Sequence, residues 1–347
     1  TFGAPSVLGL YLRTGCSLRQ TVEDMQECMP PYYLLSGWHG AGAAELTEAE
    51  ALLLQGRIDE VDMPLQKAYY QAEKHGQECI TICCDFLAMQ RDLFRGVYSS
   101  KAEAYSRQQW QLQPWQQSML LNTADMCAGF YYALLGKPEY IPGWLTDGNG
   151  QQPSVLYPAR SCRNYISAQC LLAQGQYTEL LVRWSDWEQE CHHYSNFLCL
   201  LYLQVQRAAA FAGRGDVTSC RASLKQALAM AAPDKLVLPL AQNIALLRPY
   251  LEQELQGEFS AAAAAALHLG QQLEAGRGQI MSSRFAEAGL QELTEQELQI
   301  AQLAAARHTN REIAQRLSLS EGTIKQYLNK IFAKLQIDAA AKNKRHQ

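Results

Sequence analysis

Several features are missing from this sequence, and each absence closes a class of function. Its 11 cysteines include no CxxC pair, so neither a zinc ribbon nor a thioredoxin-like redox site can be assembled. Cys79, Cys83 and Cys84, on one predicted helix, read better as small buried thiols between helices than as metal ligands. An odd number of thiols without a pairing pattern fits a reducing cytoplasm. Apolar runs are short: Phe197 to Leu203 is among the longest, against the roughly 20 residues that cross a bilayer, and no signal-peptide pattern opens the chain. Proline numbers only 12 in 347 residues while 48% are hydrophobic, which suits packed helices and not a disordered or fibrous chain. No GxxxxGK[ST] phosphate loop occurs; the nearest spacing, Gly37 to Gly42, lacks the lysine and hydroxyl that phosphate and magnesium need. The expectation is a soluble, cytoplasmic, all-α protein with no cofactor, no metal and no membrane partner. The chain opens at Thr1, already close to a segment, Val7 to Arg13, that reads as the first helix of a hairpin, and is expected to be a piece of something longer.

The net charge of −4 hides a division. Arg307 to Gln347 contains nine Lys/Arg against three Asp/Glu, whereas residues 1–306 contain 21 against 31. The acidic part will not attract a polyanion; the compact basic part can hold phosphates by releasing their counterions.

Seven glycines recur at almost one interval: Gly15, Gly56, Gly96, Gly136, Gly175, Gly215 and Gly257, separated by 41, 40, 40, 39, 40 and 42 residues. Each lies between two helix-like segments, and the windows LLLQGRIDE, DLFRGVYSS and LAQGQYTEL share an apolar stretch, the glycine and an aliphatic or aromatic residue within about three positions. One period therefore reads as a helical hairpin turned at its glycine, and a series of them as a TPR-like solenoid with a period of about 40 residues. Stacked hairpins generate a concave wall suited to a small-molecule inducer or a partner protein. Trp110, Trp115, Tyr131, Tyr132, Trp144, Trp184 and Trp187 could stack on such a ligand, although packing between hairpins explains them more simply. TDGNGQQPS at 146–154 reads as a loop within the array. The organisation expected is an array over 1–275, a linker over 276–289 and a terminal domain over 290–347.

In the terminal domain, Thr294 with Glu297 and Thr309 with Glu312 have the spacing of reciprocal helix caps, and Ser320 is a third cap. A short helix ending at Leu317, a tight connection and a longer helix from Glu321 form a DNA-reading motif. In the last helix Ile324, Leu328, Ile331, Phe332 and Leu335 make one apolar stripe. Gln326 lies nearly opposite, with Gly322, Asn329 and Lys330 beside it and Thr323 and Lys325 on the flanks, a set that would meet the major groove.

The stretch LTEQELQIAQLAAARHTNREIAQRLSLSEGTIKQYLNKIFAKLQI, Leu293 to Ile337, resembles the LuxR-type (GerE-like) helix-turn-helix family, through LTxxE, TNREIA, LSLSEGTIK and IFAKLQI. It departs from the family pattern at Arg307, Ala301 and Tyr327. The resemblance implies DNA contacts at Asn310, Arg311, Thr323, Lys325, Gln326 and Lys330, and a dimer surface in the helix after Asp338. The helical face adds Asn329. The whole layout resembles the C-terminal half of MalT-like regulators, in which a P-loop NTPase precedes a sensor superhelix, which implies an ATP-dependent activator.

An enzyme is not expected, because the only local cluster, Cys191, His192 and His193, sends adjacent side chains to different sides of a helix. The function expected is a DNA-binding transcriptional regulator whose array senses an inducer or partner protein and whose terminal module reads promoter DNA, with RNA polymerase or a second copy as further partners. The alternative is an interaction scaffold whose terminal module dimerises instead of binding DNA.

Overall fold

The computed structural model describes residues 1–105, 114–147, 155–285, 294–305, 308–317 and 319–334. All regular structure among them is helical apart from one isolated antiparallel bridge between Arg13 and Asn196. Two compact units divide between Arg277 and Gly278. In the first unit the helices are α1 Leu8–Tyr11, α2 Leu18–Ser36, α3 Ala43–Leu54, α4 Asp62–Lys74, α5 Glu78–Phe94, α6 Lys101–Tyr105, α7 Pro114–Leu135, α8 Arg160–Ala173, α9 Tyr177–His193, α10 Phe197–Gly213, α11 Val217–Ala231, α12 Leu238–Gln242, α13 Ile244–Glu254 and α14 Ser260–Ile280. No helix among the described residues is long and apolar enough to cross a membrane.

The helices stop by one recurring chemistry. At the end of α3, Gly56 takes φ +75° and the amide of Arg57 reaches back to the carbonyl of Leu52 at 2.9 Å. This left-handed residue with a six-to-one bond satisfies carbonyls that the helix end leaves open. The same bond closes at Val97 to Asp92, Lys137 to Tyr132, Gln176 to Leu171 and Asp216 to Phe211. It also closes halfway between, at Gln77 to Ala72, Asn196 to Cys191 and Leu236 to Ala231, where the left-handed residues are Gly76, Ser195 and Lys235. Left-handed turn residues therefore fall at 56, 76 and 96, and again at 175, 195, 215 and 235. Of the seven glycines at the longer interval, Gly257 alone lacks a positive φ; its amide bonds Glu254 O at 2.8 Å in an ordinary turn.

α10 forms the centre of this unit. Twelve of its residues are buried, and α8, α9, α11 and α13 pack around it. Such all-round apolar burial marks a helix with no solvent face.

The N-terminal segment is inside the unit, and this corrects the expectation of a first hairpin helix over Val7 to Arg13. Only one turn, Leu8–Tyr11, is helical, and every residue from Gly3 to Leu10 is buried. The hydroxyl of Thr123 on α7 donates to Gly3 O at 2.9 Å, and Cys83 Sγ on α5 to Ala4 O at 3.3 Å. Glu50 on α3 accepts from Val7 N at 3.0 Å, Leu8 N at 2.7 Å and Ser6 Oγ at 3.1 Å. Asn196 donates its amide to Gly9 O, and Phe197 N donates to Leu12 O at 3.0 Å. Small residues make the insertion possible: a Cβ at Gly9 would stand 2.9 Å from Cys162 Sγ. The hairpin pattern fails here because these backbone groups find their partners on other helices.

The far end of the unit packs back on its beginning. Gln242 Nε2 donates to Gln90 Oε1 at 2.9 Å, and Gln55 Nε2 to Asp234 O at 3.1 Å. Asp234 Oδ2 in turn accepts from Leu18 N at 2.9 Å. The residues expected to begin a linker at 276 are helical: α14 runs to Ile280 and a π-helical turn follows over Met281–Phe285, while 286–289 lie outside the described residues. Gly276 is there for close approach, since a Cβ would stand 1.9 Å from Leu93 O.

Of the aromatic residues singled out from sequence, several fill gaps between helices. Tyr131, Tyr132 and Trp184 are buried, Trp144 Nε1 donates to Asp125 at 2.8 Å, and the Arg207 guanidinium lies 3.9 Å from the Trp184 ring centroid. Trp187 is half-buried, and Trp110 and the Trp115 side chain lie outside the described residues. Cys83 and Cys84 are buried among helices, and burial pushes both thiols up.

Candidate nucleic-acid interface

Among the described residues the second unit holds, after the end of α14, the helices α15 Glu295–Ala305, α16 Asn310–Leu317 and α17 Glu321–Lys334. Their starts follow from side-chain chemistry. Thr294 N and Oγ1 both donate to Glu297 Oε2, at 2.8 and 3.0 Å, while Glu297 N donates to Thr294 Oγ1 at 3.3 Å. Thr309 and Glu312 repeat the arrangement at 2.7, 2.9 and 3.3 Å. The Thr309 backbone amide holds the Glu312 carboxyl below its ordinary value. Thr323 N donates to Ser320 Oγ at 3.0 Å, which caps α17. Between α16 and α17 the amide of Leu319 returns to Ala314 O at 2.9 Å, closing the tight connection.

Ile300, Ala304, Ile313, Ala314, Ile324, Leu328 and Ile331 form the core, with Leu317, Leu319 and Phe332 packed against it. Three of the five residues read as the stripe of the last helix are thus fully in this core, Phe332 partly, and Leu335 lies outside the described residues. Each buried aliphatic contributes about 1.5–3 kcal/mol, which fixes the rotation of α17 about its axis.

That rotation decides what faces solvent. Gly322, Lys325, Gln326, Asn329 and Lys330 are exposed along α17, and Thr323 is half-buried at its edge. The Thr323 hydroxyl is 2.7 Å from Ser320 Oγ. Lys330 Nζ sits 6.0 Å from the centroid of the Tyr327 ring. On α16, Arg311 is exposed and Asn310 half-buried. Five of the seven residues singled out from sequence therefore share one helix, while Asn310 and Arg311 open the helix before it. Arg307, a departure from the family pattern, and the segment after Asp338, read as a dimer surface, lie outside the described residues.

Two tethers were not read from the sequence. Tyr327 Oη donates to Gln296 Oε1 at 3.0 Å, tying α17 to α15. Its place three residues after Ile324 and four before Ile331 puts it on the border of the apolar stripe, the one signal that could have assigned it. Arg316 Nη1, on α16, stands 3.0 Å from His308 Nε2, two residues before the start of α16.

Comparison with curated proteins gives no match. Comparison with protein families gives one: residues 291–342 match GerE, described as bacterial regulatory proteins, luxR family. The match covers the three capped helices and the outward polar face of α17. The chain thus carries, over residues 291–342, a helix-turn-helix domain like those of the luxR family, which supports a LuxR-type regulator.

Proposed function

We propose that this protein is a transcriptional regulator whose α17 enters the major groove of promoter DNA. Lys325, Gln326, Asn329 and Lys330 face the duplex, Thr323 sits at the edge, and Asn310 and Arg311 approach the phosphates. The observation that carries this reading is the exposure of an uncharged-polar and cationic strip on α17 while its opposite side is locked in the core. Gln and Asn side chains pair with adenine edges, and lysines suit phosphate or guanine. With the Thr323 hydroxyl engaged by Ser320, its methyl is the group offered to a thymine methyl. The protein works in the cytoplasm and binds paired half-sites as a self-dimer, from which it contacts RNA polymerase.

Residues 1–275 are, in this reading, a TPR-like helical array of the MalT-like type that receives an inducer or partner protein. The recurring left-handed turns support a repeated hairpin unit.

Binding of fluorescent pooled promoter fragments, followed by anisotropy over a salt series, tests the DNA claim. The slope of log affinity against log salt should be steep, and Lys325→Ala and Lys330→Ala should each lower it by about one. Equal binding by the chain and by a Lys325→Glu/Lys330→Glu variant would refute it.

A further inference from the structure

Where the inserted N-terminal segment leaves the interior, it forms one side of a cavity of about 160 Å³. Phe2, Leu10, Tyr11 and Arg13 come from the segment, Pro158 from the 3-10 turn Tyr157–Ala159, and Tyr194 and Asn196 from the connection between α9 and α10. The segment is tied to the α9–α10 connection by Arg13 donating to Tyr194 O and by Thr14 N donating to Ser195 O at 2.9 Å, each pair 181 residues apart in sequence. Three observations separate this cavity from an ordinary surface dent. Phe2 and Tyr11 leave 54% and 44% of their surface exposed at its edge. Phe2 holds φ +55°, a conformation that costs a bulky residue strain. The Tyr194 hydroxyl is buried without a hydrogen-bond partner among the described residues, a costly state for a polar group.

We propose that this cavity is a small-molecule site for a single-ring aromatic carboxylate, an inference that rests on reading the first unit as the sensing part. Size points to one ring, because an apolar cavity of roughly 150 Å³ accommodates benzene. Phe2, Tyr11 and Tyr194 supply aromatic walls, which favour offset or edge contacts with a planar ring. Arg13 makes no ion pair among the described residues, and its planar fork suits a carboxylate. A polyol would find few partners here, since the Asn196 amide is committed to Gly9 O and its carbonyl to Cys199 N at 3.1 Å. Because each side of the cavity belongs to a different part of the chain, a bound ligand tightens the seat of the segment.

Isothermal titration of the full chain with benzoate and 4-hydroxybenzoate tests the site. Saturable one-to-one binding is expected, with acetate, cyclohexanecarboxylate, glucose and benzyl alcohol at least tenfold weaker. Arg13→Met should weaken benzoate at least tenfold and leave benzyl alcohol unchanged, and Tyr11→Ala, at an exposed position, should weaken all ring compounds, with circular dichroism confirming the fold. Non-saturable binding, equal affinity for acetate and benzoate, or benzoate binding indifferent to both substitutions would overturn the proposal. Promoter affinity measured in the same samples is a separate readout: benzoate binding that leaves it unchanged keeps the site and removes the sensing role.

Discussion

Replacing Glu50 by glutamine tests whether the inserted segment is seated on a protonated carboxyl. The group is fully buried, and burial raises it from 4.5 to about 7 even though two backbone amides and the Ser6 hydroxyl favour the ionised form. Desolvation is the largest contribution and wins. Below pH 4.5 the carboxyl is protonated in both folded and unfolded chains. Between pH 4.5 and 7 only the unfolded chain releases the proton, so stability falls as pH rises, and the loss is complete above the folded value. The gap between 4.5 and about 7 corresponds to about 3 kcal/mol at roughly 1.4 kcal/mol per pH unit. Glu50→Gln has no titrating group there, and it turns an NH2 toward donors that need an acceptor, at a cost of about 1–3 kcal/mol. Urea unfolding of both proteins, followed by circular dichroism from pH 4 to 8, should show wild type ahead at low pH and the advantage shrinking by about 3 kcal/mol toward pH 8. A pH-independent difference would refute the protonated seat. An advantage growing with pH would mean that the three donors keep the carboxylate ionised.

Glycines in α14 should respond with opposite signs. Gly276→Ala places a Cβ against Leu93 O and should destabilise the first unit by more than the roughly 1 kcal/mol that alanine gains in a helix, whereas Gly278→Ala, with nothing within 4 Å, should raise the melting temperature slightly. Thr309→Ala removes one side of a reciprocal cap and should cost about 1 kcal/mol, seen as a lower melting temperature of the terminal module, while the Glu312 carboxyl, still accepting from the backbone amide at 309, should stay below its ordinary value and rise only by the part the hydroxyl supplied, read by NMR titration. Tyr327→Phe keeps the ring and loses the bond to Gln296, and should cost no more than about 1 kcal/mol while leaving promoter affinity unchanged.

The terminal module was legible because its signals are local. A hydroxyl and a carboxylate three residues apart satisfy each other's amides wherever they occur, so Thr294 with Glu297 and Thr309 with Glu312 needed no tertiary knowledge. The rotation of α17 followed from the spacing of Ile324, Leu328 and Ile331. In the first unit, glycine revealed only every second turn. Ser195 and Lys235 adopt the same left-handed backbone halfway between, and neither residue type announces it. Gly276, at the start of the expected linker, lies within α14, and the Leu93 carbonyl that calls for a glycine there is 183 residues away in sequence. The inserted segment was invisible because its partners, Glu50, Cys83, Thr123 and Asn196, lie 42 to 187 residues away.

The same partners decide whether the segment is a removable lid or part of the core. Withdrawing it would strip its three donors from the Glu50 carboxyl and the acceptor from the Asn196 side-chain amide in the interior, at about 1–3 kcal/mol each. It would also expose Val7, Leu8, Leu10 and Leu12, all buried, at about 1.5–3 kcal/mol each. The total is on the order of 10 kcal/mol, comparable with the whole stability of a typical domain. No ordinary inducer supplies that much differential binding, since even 1,000-fold saturation yields only about 4 kcal/mol. The seat of the segment is therefore permanently filled, and the ligand proposed for the first unit would act where the chain passes from buried Leu10 to exposed Tyr11 and Arg13.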